Sequence, residues 1–169
     1  MARAARREER QELKLSEAAQ MLADECRMVL PGIQALFGFQ LIAVFNDRFS
    51  RDVESGDQML HVFAIALVAL AVAMVMTPAA YHRSAGSREV TDTFIHVSSL
   101  LLVWSMLPLA AGLTLDFHLI VKLICGSESV ALVAAAALFL VFVGFWFVFP
   151  RAHGLHMRLA ALRERRGHH

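Results

Sequence analysis

Apolar residues come in four long runs almost without charge, roughly residues 29–45, 59–81, 94–115 and 130–149, divided by short polar segments. About 20 apolar residues rising 1.5 Å each cross the hydrocarbon of a bilayer. A helix is the spanning form because it satisfies its own backbone N–H and C=O groups where no water is present. The pattern therefore predicts an all-α fold: an integral membrane four-helix bundle with amphipathic surface helices at both termini. Three segments follow: a polar cytoplasmic arm over 1–28, a transmembrane domain over 29–149 and a basic tail over 150–169.

Within the arm, Leu15, Ala18, Leu22, Cys26 and Val29 fall at helical spacing among charges of both signs. This narrow apolar stripe suits a helix lying on a membrane surface or against a partner, or else a solvated one. No short apolar core with a small-residue cleavage site precedes the first run, so that run is expected to remain in the mature protein. The first span carries Pro31 in its opening turn and two amides, Gln34 and Gln40. An amide in hydrocarbon needs a partner, so both are expected to face other helices, on different sides.

The loop of about 46–58 alternates charge, and Ser55-Gly56-Asp57 reads as a turn with Asp57 capping the second helix. That helix carries a ridge of small residues, Ala66, Ala69, Ala73 and Thr77, which would let another backbone approach closely. Tyr81 followed by Arg83 is an interfacial anchor. The third span holds Ser98, Ser99, Ser105 and Pro108, with a serine hydroxyl available for a carbonyl freed by the proline. Residues 117–125 are apolar but too short to cross, and read as interfacial or as an extension of that helix. Gly126-Ser127-Glu128-Ser129 breaks the chain and caps the fourth helix. This last helix ends in Phe142, Phe145, Trp146, Phe147 and Phe149 before Pro150-Arg151.

Composition confirms the medium. At 169 residues, 57% hydrophobic and a mean hydropathy of +0.55, one domain must turn apolar surface toward lipid. The charges then orient it. Thirteen Lys and Arg fall on one side, six in the arm, two in the loop after the second span and five in the tail; three fall on the other. Positive charge accumulates on the cytoplasmic side, which places both termini there. Arg151, Arg158, Arg163, Arg165 and Arg166 of the tail, with Trp146, are candidates for anchoring at an anionic surface.

Candidate chemistry is sparse. Spans two to four contain no Asp, Glu, Lys or Arg, whereas proton-coupled transporters bury an ionisable group near the midplane. No nucleophile motif, Gly-rich phosphate loop or HExxH stands in the chain, so no catalytic residue is expected. Cys26 and Cys125 fall on opposite sides of the membrane in this topology and cannot bridge within one chain, and no Cys/His cluster suggests a metal. The histidines are the best lead. His61 and His118 belong near one membrane face, His82 and His96 near the other, and two such pairs could hold a haem or a chlorophyll-type pigment. Histidines that merely tolerate the headgroup zone explain the same positions.

Two segments carry a resemblance. Leu30-Pro31-Gly32-Ile33-Gln34-Ala35-Leu36-Phe37-Gly38-Phe39-Gln40, running on to Phe45 and Arg48-Phe49, is one; Thr77-Pro78-Ala79-Ala80-Tyr81-His82-Arg83 is the other. Together they resemble a family of small bacterial four-span membrane proteins catalogued as a domain of unknown function, over roughly residues 15–150. The resemblance implies a bacterial inner-membrane location and a four-helix bundle, gives His82 and Arg83 a headgroup or helix-cap role, and implies no activity. The basic tail is not a feature of that family.

The expectation is a non-enzymatic integral membrane protein acting through helix–helix contacts, as a homo-oligomer or an accessory subunit of a larger membrane complex, with no nucleic-acid partner. A passive channel lined by Gln34, Gln40, Ser98 and Ser105 is one alternative; a haem- or pigment-binding subunit is the other.

Overall fold

The computed structural model describes the backbone of residues 2–46, 49, 51, 53–85 and 92–151, and the side chains of 13, 15–46, 49, 51, 53–81 and 93–151. Among these residues there are four helices and no strand: α1 (Ala2–Val44), α2 (Ser55–Ala85), α3 (Asp92–Cys125) and α4 (Glu128–Val143). A π-helical segment, Gly144–Val148, carries α4 on to Arg151. Each helix contains a stretch long and apolar enough to cross a membrane: Leu15–Val44, Ser55–Tyr81, Thr93–Cys125 and Glu128–Arg151. The protein is a multi-pass membrane protein.

The helices outrun the apolar runs. α1 does not pause at residue 28; arm and first span are one helix, with Pro31 inside it. Leu15, Ala18, Cys26 and Val29 are half-buried and Leu22 is buried, so the stripe of the arm is continuous with the packed side of the span, Ile33, Phe37 and Gln40. α2 starts at Ser55, two residues before Asp57, which therefore sits in the first turn and is not the cap. The N–H of Gln58 bonds to the Glu54 carbonyl at 2.9 Å, and its side-chain amide reaches the Val53 carbonyl at 2.9 Å. Residues 117–125 extend α3.

The chain divides into two compact units, Met1–Gly112 and Leu113–His169. In the first, α2 buries one row: His61, Ala64, Val68, Ala71, Val75 and Pro78. α3 buries another: Ser98, Leu102, Ser105, Leu109 and Gly112. Both rows step by three and four residues, the spacing of helices that cross at a shallow left-handed angle. Two contacts fix the pairing as antiparallel. A Cβ on Gly112 would lie 2.8 Å from Val68 Cγ2 and 2.9 Å from the Ala64 carbonyl oxygen. At the other end the rings of Tyr81 and Phe94 stack with centroids 5.3 Å apart. Small residues make the approach possible: Ala64, Ala71, Gly112 and both serines let the two backbones come close. α1 joins the unit against the start of α2, where His61 Nε2 lies 3.1 Å from the Gln40 carbonyl oxygen.

In the second unit, the end of α3 turns into α4 over two residues. Gly126 has φ +62°, a conformation a glycine adopts without a Cβ penalty. Its N–H bonds to the Lys122 carbonyl at 2.9 Å, closing α3. α4 buries only Ala131 and Ala135. Leu132, Val133, Leu140, Val141, Phe145, Val148 and Phe149 are all at least half exposed. In water each would forgo about 1.5–3 kcal/mol of burial; lipid removes that cost.

Candidate functional site

Polar side chains among the described spans gather at two places. The first lies where α1 ends and α2 begins. His61 is buried, its Nε2 against the Gln40 carbonyl oxygen, and the ring of Phe49, from the segment between α1 and α2, tilts over it at 5.1 Å between centroids. Gln40 itself is buried. His61 and Gln40 thus join two helices at the end of their antiparallel pair, with the Phe49 ring against the imidazole.

The second lies at the turn between α3 and α4. His118 and Lys122 are four residues apart on one face of α3, and Glu128 opens α4. One carboxylate oxygen of Glu128 is 3.2 Å from His118 Nε2, the other 3.0 Å from Lys122 Nζ. The positive glycine at 126 brings the two helix ends together so that one carboxylate meets two bases. Glu128 also sits at a helix N-terminus, where negative charge is favoured. Its side chain is 62% exposed, so the ion pair with Lys122 contributes only about 0.2–1 kcal/mol. Thr114, further back on α3, is buried with its hydroxyl oxygen making no hydrogen bond among the described residues.

The end of α4 is built around aromatics. Pro150 has no N–H to give the carbonyls of the preceding turn, and the helix widens there: the N–H of Phe149 reaches the Gly144 carbonyl, five residues back. Arg151 Nη1 donates to the Phe147 carbonyl at 2.9 Å and its guanidinium lies 5.6 Å from the Phe147 ring. Phe142 and Trp146 stack at 4.7 Å.

A model of a family of unknown function, DUF6328, matches residues 7–150. The chain belongs to that family. No curated protein matches the chain, and no solved structure does. The DUF6328 match takes in α1 from residue 7 onward and the other three helices, and ends at residue 150; the tail arginines Arg158, Arg163, Arg165 and Arg166 lie beyond it and outside the described residues.

The remaining predicted positions of this DUF6328 chain fall as follows. His96 is exposed; the side chains of His82 and Arg83 lie outside the described residues. Nε2 of His61 and of His118 each already faces a protein oxygen. Among the described residues, no three His, Cys, Asp or Glu side chains are placed to hold a metal ion, and both cysteines are free. Tyr81 is exposed, Trp146 half-buried. Among the described residues, Ala66, Ala73 and Thr77 of the α2 ridge are exposed and Ala69 is half-buried, while the row from Ala64 to Val75 takes the contact with the neighbouring helix. Thr77 turns its hydroxyl back to the Ala73 carbonyl at 2.8 Å. Gln40 faces the packed side of α1, and Gln34, on another side of the helix, is exposed. One expectation, a serine hydroxyl for the carbonyl freed by Pro108, needs correction. Ser105 bonds the Leu102 carbonyl at 2.7 Å, not the Trp104 carbonyl that Pro108 leaves without its usual donor.

Gly112 and the His118–Lys122–Glu128 cluster escape a reading of the sequence. A glycine within an apolar helix carries no mark of what crosses it. The cluster has a signal, a base pair at i and i+4 followed across a Gly-Ser turn by an acid, but it needs the two-residue turn to be known.

Proposed function

We propose that this protein is a non-enzymatic component of the bacterial inner membrane, both termini cytoplasmic, that works through contacts of its helices with other membrane-embedded chains. The arginine and lysine surplus on one side supports the orientation. The observation that carries the reading is the uneven use of helix surface. α2 and α3 bury continuous rows, while α4 buries two alanines and α1 leaves an amide in its span uncovered by its own chain. A surface meant only for lipid has no use for that amide. Purification in mild detergent tests the reading, with native mass measurement of everything that travels with the chain. The expected result is a species heavier than one chain; a bare monomer in every mild detergent would remove it.

A further inference from the structure

We infer that the outward face of α1 is the interface with a second copy of this chain, centred on Gln34. The inference rests on the reading above and specifies its partner. Ile33, Phe37 and Gln40 turn to the packed side of α1. On the opposite side, Asp24, Arg27, Pro31, Gln34 and Gly38 follow one another at steps of three, four, three and four residues. All but half-buried Gly38 are exposed. Steps of this kind form a straight seam along a helix that packs on a parallel partner.

Three features of this seam fit a twofold copy of itself. Gln34 has no hydrogen-bond partner among the described residues and lies inside the apolar run of 29–45, about 7.5 Å of helix from its edge. Copies of one chain insert in the same orientation, so each brings its own Gln34 to the same depth, and an amide carries both the donor and the acceptor that another amide needs. Gly38, where a Cβ would meet nothing within 4 Å, lets the backbones approach beside it. At the end of the seam, Arg27 Nη1 lies 3.2 Å from Asp24 Oδ1, both well exposed. Opposite charges one turn apart are self-complementary: the Asp24 of either copy can meet the Arg27 of the other.

Cysteine cross-linking in native membranes tests this, using the full chain with Cys26→Ser and Cys125→Ser. Gly38→Cys and Pro31→Cys, both on the seam, should give a covalent dimer at twice the chain mass on mild oxidation; Leu140→Cys, exposed on α4, should not. Adding Gln34→Leu should weaken the dimer about 3- to 30-fold, as expected for loss of an interhelical hydrogen bond in a membrane, and Gln34→Asn should weaken it less. Equal dimer at all three cysteines, or none at the seam, overturns the inference. A seam adduct with a different protein also overturns it while leaving the proposed function standing. No adduct, with a bare monomer in mild detergent, removes both.

Discussion

Gly112 decides how close α2 and α3 come. An added methyl would sit 2.9 Å from the Ala64 carbonyl oxygen, and a helix backbone cannot move aside as a flexible side chain can. Gly112→Ala is expected to destabilise the protein by about 1–3 kcal/mol despite alanine's better helix propensity. Gly56→Ala, where nothing lies within 4 Å, is expected to be neutral or slightly stabilising. Thermal unfolding of both variants in one detergent reads the contrast; equal behaviour would mean the helices do not cross at Gly112. Individual residues were where the sequence was least legible. The alanine ridge from Ala66 to Thr77 and the buried row from Ala64 to Val75 lie on one helix, and both are small and apolar. Composition does not say which of the two meets a neighbour. Polar residues were half legible: the separation of Gln34 and Gln40 around α1 follows from their spacing, but that only Gln40 has cover within the chain does not.

At the scale of elements, the number and type of helices could be read directly, because runs of about 20 apolar residues have one solution in lipid. Their ends could not. Hydropathy marks where hydrocarbon stops, whereas a helix goes on while its backbone can bond to itself. α1 therefore runs back through the charged arm, and α3 runs on to Cys125. The break at Gly126 was legible, since Gly-Ser between apolar runs is turn chemistry. Its positive φ carries a prediction. Gly126→Ala forces a Cβ into the left-handed region and should cost about 1 kcal/mol. Glu128→Gln, which leaves the turn intact and removes the charge shared by His118 and Lys122, should cost about 0.2–1 kcal/mol and lose its effect at high salt. Unfolding curves at low and high salt separate the two; a salt-independent Glu128→Gln effect would count against the ion pair.

For the molecule as a whole, everything rests on lipid as the solvent of four crossings. Two compact units, one of three antiparallel helices and one of a tight helical hairpin, expose apolar side chains that water would not tolerate. A chain with four crossings must return to the side where it began, which agrees with the distribution of arginine and lysine. The most direct test is labelling of single cysteines with a membrane-impermeant maleimide on intact cells, in the background lacking Cys26 and Cys125. Ser55→Cys and Ser127→Cys, at the turns that four crossings with cytoplasmic ends would leave outside, should be modified, while Ser16→Cys in the arm should react only after the membrane is opened. Modification of Ser16→Cys together with Ser127→Cys in intact cells would contradict four crossings with cytoplasmic ends.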